Sequence, residues 1–244
     1  MPREQPGPAT GHHGGNARSA ARHRSSAVRH WIATAPGTYV WLGALFVTTV
    51  VLHRMPPAFE DDFLRQRSTD LRELSQTPVR ALTYGALWID GGRWLPYAAL
   101  FTVFHATAEH WLGTLRWLTV AAAAHVLAIL VVAGVLAWAV RHGHAPASST
   151  NTLDDGVGYA LAGVVAVLTY RVPHPWRYLY AFAVLVFYGV PLVADGRTFT
   201  DLGHVTAVLT GLACYPLTRT TSTTHTTHTT RKRPAQKTKR PAGQ

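Results

Sequence analysis

The sequence predicts an all-α, polytopic membrane protein with six transmembrane helices between two disordered basic tails. Three observations carry that prediction. Of 244 residues, 48% are hydrophobic and only 14% are charged, the composition of a membrane protein diluted by polar ends. The apolar residues gather in six runs near 38–52, 94–107, 118–140, 157–170, 176–194 and 199–217. Twelve of the 23 Lys and Arg lie outside those runs at the chain's ends, five before residue 30 and seven after Pro216.

Residues 1–35 are rich in Gly, Ser, Arg and His without apolar periodicity, so they bury too little surface to offset chain entropy and are expected to be disordered. Residues 219–244 form the second tail, a Thr/His stretch followed by a basic end. His225 and His228 there offer at most a weak metal site, and no cofactor or metal centre is expected. Basic tails beside a bilayer meet anionic headgroups, at about 1 kcal/mol per cation near the surface. The net charge of +11 is therefore read as membrane topology, with the lipid bilayer as partner and no nucleic acid expected. About 35 polar residues precede the first apolar run and no A-x-A site follows it, so that run reads as an uncleaved signal anchor. The single Cys214 sits in an apolar run as a small packing residue.

Six spans put both tails on one side of the membrane. With the tails inside, 15 Lys and Arg lie inside and 8 outside, which satisfies the positive-inside rule and makes both termini cytoplasmic. Abundant arginine and alanine suggest a GC-rich bacterial genome, hence a bacterial plasma membrane. The membrane domain runs from 36 to 218, with a long external first loop at about 54–93. That loop mixes Glu60, Asp61, Asp62, Asp70, Glu73 and Asp90 with six arginines. The runs at 94–107 and 157–170 are shorter than the ~20 residues a spanning helix needs. The fourth carries Gly156, Gly158, Ala160, Ala162 and Gly163, which allow close backbone approach, so it is expected at the bundle centre.

Asp155 and His204 both stand near the outer, N-terminal ends of parallel spans, four and six, and are expected to be able to meet. Ionisable groups within a membrane are costly and so are functional candidates. Asp154, Asp155 and Asp201 also stand where helix N-caps are expected. His204 lies inside a run, with Ala207 and Gly211 on its own face. Such an imidazole can serve as a base, a structural hydrogen-bond partner or a proton-linked switch.

The chain resembles the rhomboid intramembrane proteases over about residues 55–217. Glu109, Gly113, Thr114 and Arg116 match the ExxxGSxR-like signature after the family's second span, with Thr for Ser. Gly156, Tyr159-Ala160-Leu161 and Gly163 match the segment just beyond the family's GxSG nucleophile. His204 and Gly211 match its HxxGxxxG, with Ala207 for the middle glycine. The resemblance implies a six-helix rhomboid-like bundle, a first loop lying partly in the outer interface, and a serine–histidine dyad shared between spans four and six. It also implies that Tyr159 stacks on His204.

The carry-over of activity largely fails. Counting back from Tyr159 puts the nucleophile position at Asp155, and sliding the register gives Val157 or Gly158; none has a hydroxyl. Arg80 falls on the arginine of the first-loop WR motif, Arg93 on the oxyanion histidine and Tyr97 on its companion asparagine. His105, His110 and Thr114 imitate the family's HxxxxHxxxN spacing, but that register would put Arg116 in mid-membrane; His105 and His110 are therefore read as ordinary residues near the inner interface. Hydrolysis by this route needs an activated nucleophile and donors for the oxyanion. The sequence thus predicts a vestigial His204 in a polar centre of Asp155, Tyr159, Asp201 and His204, within a pseudoprotease that binds or regulates transmembrane segments of other membrane proteins. Two alternatives are a protease with a displaced nucleophile at Ser148, Ser149 or Thr152, and an ion-coupled transporter using Asp155, Asp201 and His204 as a relay.

Overall fold

The computed structural model describes residues 31–54, 71–87, 94–144, 156–194 and 198–219. The tails, most of the first loop and the segment holding Ser148, Ser149, Thr152, Asp154 and Asp155 lie outside the described residues, as do Arg93, His225 and His228. Each of the six apolar runs is helical. In chain order the elements are α1 (Pro36–His53), α2 (Leu71–Gln76), α3 (Pro78–Leu87), α4 (Trp94–Leu100 continuing through a π turn, Phe101–His105, into Ala106–Leu112) and α5 (Thr114–Arg141). Then come α6 (Gly156–Val167, ending in a 3-10 turn Leu168–Tyr170), α7 (Trp176–Val193), α8 (Phe199–Ala213) and α9 (Tyr215–Thr218). The helices α5 and α7 are long and apolar enough to cross a membrane, while α1 and α6 are shorter apolar helices.

The second run is not short. Its helix continues beyond residue 107 to Leu112, because the polar side chains that end the hydropathy signal have partners. The Glu109 carboxylate is buried and takes three bonds. Oε1 accepts from Gly37 N at 2.9 Å and from Thr114 Oγ1 at 2.7 Å, and Oε2 accepts from Thr38 N at 2.7 Å. Helix α1 begins at Pro36 after Ala35, whose side chain cannot cap it. Glu109 therefore supplies the missing acceptor from another helix, and its charge opposes the dipole of α1. Gly37 has no room for a side chain: a Cβ would lie 2.6 Å from Trp117 Cζ3 and 2.9 Å from Glu109 Oε1.

Gly113 alone joins α4 to α5, at φ +82°, a conformation that favours glycine. Thr114 then begins α5 with its hydroxyl on Glu109, and half-buried Arg116 stands in the first turn of α5. The Glu109–Arg116 motif is thus a corner device: one residue caps α1, one turns the chain and one holds the capping carboxylate.

The central position expected of the fourth run is what the structure shows. Every residue of α6 is buried except Gly158, and its neighbours are chiefly α5 and α8. Small residues make this possible. A Cβ on Gly211 would run into the Gly163 carbonyl, and one on Gly163 into Ala124. Around this centre α1, α5 and α7 turn large apolar side chains outward, among them Val47, Leu115, Leu130, Phe182 and Phe187. Exposed apolar surface on that scale suits lipid rather than water.

Of the first loop, α3 is bound into the bundle by its carbonyls. Trp41 Nε1 donates to Ala86 O at 2.8 Å, and Thr48 Oγ1 to Leu87 O at 2.8 Å. His125 of α5 reaches Leu82 O with Nε2 at 2.8 Å and Gly156 O with Nδ1 at 2.9 Å. Gly156 is a glycine because a Cβ there would strike the His125 ring.

Glu109→Ala orphans one buried and one half-buried backbone N–H group and a hydroxyl, and we expect it to destabilise by roughly 2–4 kcal/mol, against about 1 kcal/mol or less for Glu109→Gln, at about 1–3 kcal/mol per abandoned buried group. Reversible unfolding in mixed micelles measures the difference, and equal losses for Ala and Gln contradict the capping role. Gly211→Val meets backbone rather than a movable side chain, so it should cost at least the roughly 1–3 kcal/mol typical of overpacking in the same assay.

Candidate functional site

Helix α8 starts at a capping box. The N-cap is Thr198, whose hydroxyl accepts from Asp201 N at 3.3 Å, while Asp201 Oδ2 accepts from Thr198 N and Thr198 Oγ1, each at 2.8 Å. Asp201 is therefore the third residue of the first turn rather than the cap itself, which corrects the sequence expectation. The helix then carries His204 one turn on. Its Nδ1 lies 3.1 Å from Thr200 O; a carbonyl only accepts, so Nδ1 donates that bond.

Nε2 faces the start of α6. A Cβ built on Gly158 would stand 3.0 Å from His204 Nε2. Of the two expected nucleophile positions that are described, Gly158 and Val157, Gly158 is the one on which a side chain would point at the imidazole. Val157 is turned away, buried against Leu42, Leu45 and Phe101, because successive helical residues are about 100° apart. Asp155 lies outside the described residues, and so does any Asp155–His204 contact.

The aromatic partner of His204 also differs from expectation. Tyr159 meets the imidazole edge-on, with centroids 5.1 Å apart at 72°, whereas Tyr188 of α7 stacks on it at 5.5 Å and 24°. Tyr159 cannot lie flat because its ring is laid over Gly203, where a Cβ would collide with it. The glycine before His204 is therefore the seat of Tyr159.

Around His204 opens a cavity of about 410 Å³, lined among others by Tyr97, Gly158, Phe187, Tyr188 and Asp201. Neither serine, threonine nor cysteine lines it among the described residues. Tyr97 stands in this cavity. His105 does not. It is fully buried beside Trp41, stacks on Phe101 with centroids 4.1 Å apart, and accepts from Trp117 Nε1 at Nδ1, 3.1 Å away. So His105 belongs to an aromatic box in the core rather than to an ordinary place near the inner interface, and the HxxxxHxxxN imitation is spacing without shared geometry. His110 lies by Trp31 and Thr34, and Arg80 lies over the Tyr84 ring.

The cavity does not end at His204. It shares Leu100, Leu161, Phe187 and Tyr188 with a second chamber of about 450 Å³, which shares Phe104 and Tyr180 with a third of about 420 Å³. Together they form a groove with α4 on one side, α7 on the other and α6 as its floor. Helix α7 buries only Val184. Its hydrogen bonds to α6 and the turn after it come from its first two turns, Tyr180 Oη to Val165 O at 3.0 Å and Arg177 Nη2 to Tyr170 O at 3.1 Å. Sequence reasoning missed Tyr188, Phe187 and His125. An aromatic in an apolar run carries no sign of which helix it faces.

With this arrangement in view, the chain matches the family described as rhomboid-like protein over residues 30–224. It belongs to that family, and is thereby a membrane-embedded protein of the rhomboid superfamily. No curated protein matches it. No solved structure matches it either.

Two measurements test the site. Nitrogen-15 NMR of histidine-labelled protein should find His204 protonated at Nδ1; a ring protonated at Nε2 alone contradicts the Thr200 bond. Gly158→Val should force His204 and Tyr188 apart and lower stability by about 1–3 kcal/mol, the usual range for overpacking, read as a loss of thermal stability in detergent.

Proposed function

We propose that this protein is a catalytically inactive rhomboid-like membrane protein that binds transmembrane segments of other membrane proteins in the groove between α4 and α7. One observation supports the loss of activity: Gly158, on which a Cβ would stand 3.0 Å from His204 Nε2, carries no side chain, and the described lining of the cavity offers no serine, threonine or cysteine. Acyl transfer needs such a nucleophile, and binding does not. Among the described lining of the cavity there is no lysine or arginine for a tetrahedral oxyanion.

Binding is supported by the groove itself. Below His204 its walls are Leu100, Phe104, Leu161, Val165, Phe187 and Val184, apolar side chains that a hydrophobic helix can match by close packing. Helix α7, tied mainly at one end, can yield to admit it. The charge asymmetry of the sequence supports six spans with both termini cytoplasmic, and its abundant arginine and alanine support a bacterial plasma membrane. Asp201 is occupied by its cap, which weakens a relay through Asp201 and His204 and with it the transporter reading.

In proteoliposomes with a helix-destabilised single-span substrate, we expect no cleavage and no covalent labelling by a fluorophosphonate. Cleavage that disappears in His204→Ala would overturn the proposal. Labelling lost on mutating Ser148, Ser149 or Thr152 would establish the displaced-nucleophile protease instead.

A further inference from the structure

The third chamber of the groove lies at the turn between α6 and α7, where two arginines face opposite ways. Arg177 reaches inward: Nη2 donates to Tyr170 O at 3.1 Å and Nε to Val172 O at 3.3 Å, the carbonyls on either side of Arg171. That clamp fixes the turn. The Arg171 side chain is exposed and lines the chamber together with Thr107 and Phe104 of α4, with no hydrogen bond or ion pair to another described residue. No Asp or Glu occurs between Gly156 and Ala194 or between Trp94 and Ala108. Glu109, which follows, is held by α1 and Thr114, so neither wall supplies a carboxylate to Arg171.

Beyond this mouth the groove is apolar. Tyr180 commits its hydroxyl to Val165 O at 3.0 Å and so offers both chambers a ring, and Leu100, Leu161, Val184 and Phe187 continue the wall. Tyr180 and Tyr188 are eight residues apart, about 12 Å along α7 at 1.5 Å per residue. One leaflet of a ~30 Å hydrocarbon core is about 15 Å deep. Trp176 and Tyr178 are both exposed at the start of α7, the aromatic types that sit at headgroup level, and Arg171 precedes them in the same turn.

We propose that an anionic phospholipid binds here, its phosphate on Arg171 and one acyl chain along Phe104, Tyr180 and Phe187. In the topology proposed above it comes from the cytoplasmic leaflet. A guanidinium matches phosphate oxygens with paired hydrogen bonds, and basic pockets between spanning helices on that side suit anionic headgroups. Charge decides between occupants: an apolar helix fills the second chamber but leaves Arg171 without an anion, and a zwitterionic lipid brings a cation of its own. The inference needs only the groove and its mouth and does not rest on client binding, since lipid and client would hold the apolar chamber in turn.

The test places the photo-crosslinker p-benzoylphenylalanine at Val103, an exposed residue of the third chamber, in the full chain. Nanodiscs contain equal parts phosphatidylglycerol and phosphatidylcholine with the same acyl chains in both leaflets, so the readout is independent of orientation. Intact-protein mass spectrometry after irradiation counts each lipid adduct. Phosphatidylglycerol should be captured on the order of fivefold more than phosphatidylcholine, the factor that about 1 kcal/mol per cation near the membrane surface represents. The crosslinker at Leu130, exposed on α5 and outside the groove, should capture the two equally. Arg171→Gln should reduce the ratio at Val103 to that at Leu130, and Arg171→Lys should keep most of it. Equal capture at Val103, an enrichment that survives Arg171→Gln, or adducts with a second copy of the chain in place of lipid overturns the site.

Discussion

A single buried carboxylate sets the frame of this protein. Glu109 terminates the free N–H groups of α1 from the far end of α4 and is itself held by the first side chain of α5. Three helices are therefore fixed to one another at one corner by charge-assisted hydrogen bonds in a region with little water, where such bonds are strong and their absence is costly. Once α1, α4 and α5 are pinned there, Trp117 closes over Gly37, His105 is enclosed by Trp41, Phe101 and Trp117, and α5 presents His125 to α3 and to the first carbonyl of α6.

Above that corner the fold is shaped by what is missing from side chains. Four glycines mark close approaches between named groups: Gly156 under His125, Gly163 beneath Ala124, Gly203 under Tyr159 and Gly211 against the Gly163 carbonyl. In lipid there is no hydrophobic gain from helix contact itself, so close backbone packing has to supply the affinity. At Gly158, likewise, a Cβ would stand 3.0 Å from His204 Nε2. The imidazole stands in a chamber continuous with a groove whose outer wall, α7, buries only Val184.

Several features were legible without coordinates. The six apolar runs become helices because a long apolar segment in lipid has to satisfy its own backbone, and helix is the local solution. The motif around Glu109, Gly113 and Thr114 marked the right corner, since a positive φ and a one-residue turn leave a glycine signature. The place of α6 at the centre was readable from its small residues. What hydropathy misjudged was the length of α4: Glu109 and His110 read as an end, yet their partners come from α1, α5 and the segment before α1, far away in sequence. His105 was misjudged for the same reason, because burial among aromatic rings from three helices has no local trace.

The sequence by itself determined the helical class, the ordering of elements, the corner motif and the absence of serine from the fourth through sixth runs. Those follow from local chemistry: hydropathy, backbone freedom and side-chain identity. Only the tertiary structure decided that Gly158 rather than Val157 faces His204, that Tyr188 and not Tyr159 stacks on it, and that Asp201 shares its chamber. Each depends on the rotation of one helix about its axis relative to another. That angle is set by the summed packing of side chains distant in the chain, and no single residue encodes it.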